Sequence, residues 1–398
     1  MNEADMVVRL AAKGDGVTES GRHVPGAVPG DRILSDGTVE RGPHHVDPPC
    51  RHFGRCGGCQ LQHADEEVVA RFVTDRILNA ARKQGLEAER VAPAHLSPPR
   101  SRRRATLHAA RQRGKLRIGF REAGSRRLVD IAECTILLPE LFALVSPLRE
   151  LLRTRKADFA TDIALTRCDQ GADVAFGKLP VEGLQQTEQL LDFARDNALA
   201  RLSNDDGYGS ETQWEPEPVT VTLTDVPVPL PVGAFLQATR DGEGALVSTA
   251  RDWLSGEGPV ADLFAGLGTF AFALASSRKV LAVEAGRNAH LACMAAGRRS
   301  GRPVHALHRD LFRNPLRAEE LDRFSGVVLD PPRAGAREQV AQIAASAVSQ
   351  VAYISCNPSS WARDAKTLVD GGFALREVRP VGQFRWSTHV ELASLFER

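Results

Sequence analysis

The stretch "VADLFAGLGTFAFALA", residues 260–275, decides the fold. An apolar β-type run gives way to a loop with Gly266 and Gly268, and then to a helical run of Phe, Ala and Leu. Glycines at the carboxyl end of a strand let backbone approach a ligand closely. Asp262 precedes them. The loop lacks the Gly-Lys-Ser/Thr of a phosphate-binding loop. Working outward, "RKVLAVEA" (278–285), "PVHALHRDLF" (303–312), "FSGVVLDPPRAG" (324–335) and "QVAYISCNPSS" (350–360) are further apolar runs, most ending at Gly, Asp or Glu. Helical stretches separate them. That alternation predicts a doubly wound α/β domain with a parallel sheet.

Acids stand at successive strand ends: Asp262, Glu284, Asp310 and Asp330. A carboxylate at Glu284 can accept both ribose hydroxyls of an adenosine ligand, which fits NAD or S-adenosylmethionine. Asp310, suited to the adenine edge, and Asp330-Pro331-Pro332, as in nucleic-acid methyltransferases, favour S-adenosylmethionine. Enzymes that methylate exocyclic amines carry an aromatic after the prolines. Here Arg333 follows, which points to carbon methylation. Carbon 5 of uracil becomes nucleophilic when a thiolate adds to carbon 6, so this chemistry needs a cysteine near the cofactor and a base. Cys356 ends the strand after Asp330-Pro331-Pro332, at the cleft where open α/β sheets bind ligands. His389 and Glu391, two apart in "RWSTHVELASLF", share one face of an expected strand and are the candidates for the base.

The other half reads differently. Residues 6–45 hold short β-prone pieces cut by Gly and Pro, as in a small barrel. Residues 64–84 form an amphipathic helix with Val68, Val69, Phe72, Ile77 and Leu78 on its apolar side and Gly85 as its stop. Residues 100–132 read as strands, 139–155 and 181–200 as helices, and 203–218 as a polar linker. The net charge of +1 conceals 11 basic residues against one acid, Glu122, between Arg100 and Arg127. Such a like-charge field calls for a polyanion.

The chain has seven cysteines among 398 residues and nothing that suggests secretion, so metal binding or catalysis is expected over a disulfide framework. Cys50, Cys56 and Cys59, spaced by glycines, suit a metal ion or an iron–sulfur cluster, with Cys134 as fourth ligand. Zinc is the chemical rival. Cys168 and Cys293 read as core thiols. No signal peptide and no run approaching about 18 apolar residues is found, which predicts a cytoplasmic protein without a membrane span.

Together "DLFAGLGTF", "LDPPRAG", "ISCNPSSWARD" and "THVELASLF" resemble the RNA 5-methyluridine methyltransferases, and "PPCRHFGRCGGCQLQH" resembles the cluster-binding segment of their rRNA branch. The resemblance implies Cys356 as nucleophile, Glu391 as general base, and Gln237, in "GAFLQAT", as a contact to cofactor or base. It implies that Phe264, Glu284 and Asp330 line the cofactor and uracil sites, beside Asp262, Gly266, Gly268 and Asp310. Thr269 stands where members often have Asn, and its shorter side chain loses a hydrogen bond to the cofactor. The resemblance also implies a [4Fe–4S] cluster on Cys50, Cys56, Cys59 and Cys134. Three segments are expected: 1–45, a TRAM-like RNA-binding β module; 46–218, an α+β iron–sulfur and RNA-binding domain; and 219–398, a Rossmann-like S-adenosylmethionine methyltransferase domain. The expected partner is RNA, with 23S rRNA favoured over tRNA, no membrane and no obligate protein partner. A non-catalytic RNA-binding protein on the same fold is the competing expectation, disfavoured by Cys356, Glu391, Asp330 and the glycine loop standing together.

Overall fold

The computed structural model describes residues 5–398; the first four residues of the expected 1–45 module lie outside the described residues. The chain forms two compact units. The first comprises the described residues up to Val73, Ser97–Glu217 and Phe384–Thr388, and the second comprises Thr74–Leu96, Pro218–Gln383 and His389–Arg398.

The first unit carries two sheets. A five-stranded antiparallel sheet runs in the order His23–Val24, Gly16–Thr18, Asp5–Leu10, Arg32–Ile33, Val39–Glu40. It closes over Val7, Val24, Ala27 and Ile33. Gly16 is required there, because a Cβ would lie 2.7 Å from the Ala27 carbonyl oxygen. The seven-stranded sheet is ordered Leu128–Asp130, Lys115–Arg121, Arg104–Gln112, Phe159–Cys168, Gly171–Gly177, Arg201–Asp205, Ser210–Trp214. Its one parallel pairing joins Gly171–Gly177 to Arg201–Asp205, and the connection contains the helix Gly183–Asp196, as parallel strands require. Leu107, Ile118, Ile163, Leu165 and Phe176 point into a core shared with Leu141, Leu148, Leu152, Leu190 and Phe193 of the covering helices. The polar stretch 203–218 is no free linker. It includes a hairpin between Arg201–Asp205 and Ser210–Trp214, whose Trp214 indole donates to the Leu199 carbonyl at 3.0 Å. The two inward hydrophobes of so short a pair leave little periodicity to read. The amphipathic helix is Glu66–Arg82, capped by Asp65, whose carboxylate accepts the Val68 N–H at 2.9 Å, and ended by Gly85 at φ +68°.

The second unit is built on a nine-stranded sheet. Its path is Val304–His308, Val280–Glu284, Val260–Leu263, Gly326–Leu329, Gln350–Ser355, Glu391–Glu397, Ala374–Gly382, Arg90–Val91. The first five strands are parallel, and Glu391–Glu397 is inserted antiparallel to both neighbours. Val260–Leu263 is buried at every position, as a strand covered on both faces must be. Strand order reverses on either side of it, so the switch point of the sheet lies at its carboxyl end. Two short pieces from before the arginine-rich strands, Arg90–Val91 and His95–Leu96, pair with Ala374–Gly382. Two-residue strands carry no alternation, so the sequence does not announce them. Among the described residues no helix is long and apolar enough to cross a membrane.

Candidate active site

The glycine loop is shaped by its backbone. Phe264 (φ +65°), Gly266 (φ +55°) and Gly268 (φ +93°) all lie in the left-handed region. A Cβ on Gly268 would sit 2.8 Å from the Phe272 ring and 2.9 Å from Cys293 Sγ, so only glycine fits. A Cβ on Gly266 would meet nothing within 4 Å, so that residue faces open space. Cys293, expected as a core thiol, is buried behind the loop.

The acids divide into different roles. Glu284 accepts the Gly266 N–H at 2.9 Å and the Gly286 N–H at 2.5 Å. Each carboxylate oxygen keeps a further lone pair that a ribose hydroxyl can use. Asp262 is fully buried. Its Oδ2 accepts from Ala271 N–H at 2.8 Å, which anchors the helix Thr269–Leu274, while its Oδ1 is buried without a hydrogen-bond partner. Thr269 is the first residue of that helix and is partly buried. Asp310 accepts the N–H groups of Phe312 at 2.9 Å and Arg313 at 3.3 Å, so one oxygen shapes its own turn. That turn presents Phe312, whose ring lies 5.3 Å from that of Phe264. Phe312 is 41% exposed. The pair offers aromatic surface suited to an adenine, and the only sequence signal for Phe312 is its place two residues after Asp310.

Cys356 sits after Gln350–Ser355, at the carboxyl end of the parallel sheet. Asn357 caps the next helix, Pro358–Asp370, by accepting the Ser359 N–H at 3.1 Å. The Asn357 side-chain amide donates to the Arg333 carbonyl at 2.8 Å, and the Ser360 hydroxyl donates to the same oxygen at 3.0 Å. Asp364 accepts from Ala336 N–H at 2.7 Å and from the Tyr353 hydroxyl at 2.8 Å. The loop after Asp330 is thereby tied to the cysteine loop.

A chain of amides joins the acids. Gln237 donates through Nε2 to Asp330 at 3.1 Å, and its Oε1 accepts from Gln383 Nε2 at 2.7 Å. Gln383 Oε1 accepts the Ala238 N–H at 2.8 Å, and its side chain lies near the buried Glu391 carboxylate and favours its ionised form. Gln383, in "PVGQFRW", carries no signal of this role in the sequence. His389 does not share the expected face with Glu391. It precedes the strand and is exposed, whereas Glu391 is the strand's first residue and is buried.

The electrostatics are those of crowded anions. Burial, with Asp330 and Glu284 nearby, pushes the Asp262 carboxyl up to about 8. Burial pushes Asp330 up to about 7, and burial with Asp330 nearby pushes Glu391 up to about 8. Burial, then Glu391 and Asp330, push the Cys356 thiol up to about 11, with the Arg333 guanidinium opposing. A cation entering this cluster favours the ionised form of every member. The orphaned Asp262 oxygen, the open space over Gly266 and the clustered acids fit a cofactor bearing an ammonium and a sulfonium.

In the first unit Cys50, Cys56, Cys59 and Cys134 line one cavity with Phe53, Phe120, Ile131 and Ile136. All four are free thiols. Burial pushes each upward, Cys59 to about 12. The backbone N–H groups near His52, Gly58, Ile136 and Leu137 and the Gln62 side chain act the other way and favour thiolate, as does Arg102 towards Cys134. Yet no group of three or more His, Cys, Asp or Glu among the described residues is arranged to hold a metal ion. The donor set suits a four-thiolate group, but the arrangement is not that of a single-ion site.

Of the 11 basic residues between 100 and 127, four do not face a polyanion freely. Arg103 is 1% exposed, and Arg102, Arg104 and Arg111 are partly buried. Arg102 instead lies over the Phe384 ring at 5.4 Å.

The family profile described as tRNA (uracil-5-)-methyltransferase matches residues 305–398. An uncharacterized RNA methyltransferase of Zymomonas mobilis is 50% identical over 393 residues, covering 98% of this chain and 99% of that one. The 23S rRNA (uracil(1939)-C(5))-methyltransferase RlmD of Erwinia tasmaniensis is 31% identical over 376 residues, covering 90% and 84%. The crystal structure of the Pyrococcus abyssi tRNA (uracil-54, C5)-methyltransferase with S-adenosyl-L-homocysteine superposes with a TM-score of 0.75 at 22% identity, over 99% of this chain and 100% of that one, and shares the fold. With these full-length relatives, the chain belongs to the RNA uracil-5 methyltransferase family, the S-adenosylmethionine-dependent enzymes that methylate RNA at uracil C5.

Proposed function

We propose that the enzyme forms 5-methyluridine in 23S rRNA, with Cys356 as nucleophile and Glu391 as general base. The observation that carries this reading is the convergence of Cys356, Asp330 and Glu391 at the carboxyl end of one parallel sheet, linked through Gln237 and Gln383. S-adenosylmethionine supplies the electrophilic methyl group. Its positive charge among Asp262, Asp330 and Glu391 draws these groups and the thiol towards their ionised forms, so thiolate forms best after the cofactor binds. The Cys356 thiolate forms a bond to C6 of uracil, and the electron pair moves towards O4. The electron pair returns from O4 through C5 to form the C5–CH3 bond, and the sulfonium S–CH3 bond breaks, its pair staying on sulfur as the neutral thioether S-adenosylhomocysteine leaves. Glu391 removes the C5 proton, the C5=C6 bond is restored, and the thiolate leaves with that bond's return. Asp330 and Gln237 hold the base and cofactor in register, Glu284 holds the ribose, Phe264 and Asp310 the adenine side, and Gly266, Gly268 and Thr269 form the floor.

Cys50, Cys56, Cys59 and Cys134 are proposed to hold a [4Fe–4S] cluster. Four thiols on one apolar cavity with several N–H donors suit such a group. The five-stranded module is proposed as a TRAM-like RNA binder at residues 1–45, followed by the cluster domain to residue 218, of which Thr74–Leu96 fall in the second unit, and the catalytic domain from 219, working in the cytoplasm. The named activity of the Erwinia relative and the cysteine set favour 23S rRNA. Unmodified transcripts of host 23S rRNA and tRNA, incubated with enzyme and cofactor and digested for mass spectrometry, test the substrate. One 5-methyluridine in a 23S fragment is expected. Methylation confined to tRNA would overturn the rRNA assignment, and a methyl group on an exocyclic amine would overturn the chemistry.

A further inference from the structure

One face of the seven-stranded sheet packs against the helices of the first unit's core, and the residues of its other face point away from that core. Side chains alternate along its strands. On Arg104–Gln112, Ala105, Leu107 and Ala109 are buried, while Thr106, His108 and Ala110 point the other way. The register sets His108 opposite Gly119 and Ala110 opposite Arg117, and Asp162 opposite both His108 and Gly177. Small residues therefore floor a groove of about 1030 Å³. Its rim carries Arg117, Arg121, Arg126, Arg127 and Lys178, all exposed. The acids that line it are already matched: Asp162 bonds His108 at 2.5 Å, and Glu122 faces Arg55 at 3.5 Å. Five cations thus remain without an ion-pair partner among the described residues. Lys178 is held at φ +63°, an uncommon conformation for a residue with a side chain.

We propose that this groove binds the sugar–phosphate backbone of the substrate RNA as a sequence-independent docking track, in the unit that does not carry Cys356. The proposal rests on the RNA methyltransferase reading above. Five uncompensated cations over a small-residue floor suit a chain of phosphates that lies close to the sheet. No aromatic ring other than His108 lines the groove, so base stacking is not its mode of recognition. Contacts of this kind position RNA without choosing the uridine, which leaves selection to the catalytic unit.

The test is a salt series of binding and methylation on a host 23S rRNA transcript. Each phosphate contact contributes about 0.7–0.9 to the slope of log K against log salt. The variant Arg117→Gln/Arg121→Gln/Arg126→Gln/Arg127→Gln should therefore lose about 3 from the slope and bind at least about tenfold more weakly near 0.1 M salt. Its kcat at saturating RNA and its cofactor affinity should stay within about twofold. Lys178→Gln alone should lower the slope by about one, which keeps the test open if the fourfold variant folds poorly. Arg153→Gln/Arg195→Gln, which removes cations already paired with Glu150 and Asp192, should leave the slope unchanged. If the wild type methylates the transcript and the groove variants match it in slope and affinity, or lose only kcat, the groove proposal falls. If the wild type methylates no RNA offered, the underlying reading falls instead.

Discussion

Replacing Glu391 by Gln should stabilise the protein at alkaline pH while stalling catalysis. Glu391 is buried, and burial with the nearby Asp330 raises its carboxyl from 4.5 to about 8. In the unfolded chain it titrates near its ordinary value. The folded state therefore holds a proton that the unfolded state has lost, between pH 4.5 and about 8. Stability contributed by this group is intact below pH 4.5, declines as pH rises through that window, and is lost above it. At 1.36 kcal/mol per pH unit the difference bounds the burden at about 5 kcal/mol. Relaxation and the shared repulsion with Asp330 reduce this, so a gain of about 2–3 kcal/mol is expected for Glu391→Gln at pH 9, and almost none at pH 4.5. Gln keeps the shape and can still pair with Gln383. Urea unfolding at pH 5, 7 and 9 measures the difference. In the same variant, thiolate addition and methyl transfer proceed but the C5 proton has no acceptor, so a methylated protein–RNA adduct should survive denaturing gels. A variant no more stable than wild type at pH 9, or a stability difference that does not grow with pH, would refute the electrostatic reasoning. Wild-type turnover without adduct would refute the role of Glu391.

Cys356→Ala should reduce methylation by about a thousandfold or more while cofactor affinity, measured by calorimetry, changes little, because the thiol attacks the base. S-adenosylmethionine should bind at least about tenfold more tightly at pH 9 than at pH 6 and release protons on binding, because Asp262, Asp330 and Glu391 titrate near 7–8 and a cation favours their ionised forms; a pH-independent Kd would contradict this. Protein purified without air should contain about four irons and four sulfides, and Ser at Cys50, Cys56, Cys59 or Cys134 should each remove them. Removal should weaken RNA binding before cofactor binding, since Gly57 of the cysteine loop donates to the Arg121 carbonyl at 2.9 Å and so braces the groove rim; zinc in place of iron would overturn the cluster while keeping the site.

Much of the catalytic unit is legible because its signals are local. The buried strand at 260–263, the glycines with left-handed φ and the acids at strand ends each follow from a few adjacent residues. The cysteines are legible by spacing, and the structure brings Cys134 to the cavity of the other three. What escaped depends on distant partners. Gln383 gains its place only because Gln237, 146 positions away, lies against it. Arg90–Val91 and His95–Leu96 become strands only because the edge of Ala374–Gly382 is available. The charge count between 100 and 127 overstates the free cationic surface, because composition does not tell which arginines turn inward, as Arg103 does. His389 shows the limit of a period-two reading near a strand end, where the pairing starts only at Glu391.

The most direct test of the central claim is a substrate RNA carrying 5-fluorouridine, incubated with the enzyme and S-adenosylmethionine. Fluorine cannot leave as a proton, so the intermediate should persist as a covalent protein–RNA complex. Tryptic mass spectrometry should place the methylated fluorouridine on Cys356. No covalent complex, or one attached to another residue, would contradict the mechanism.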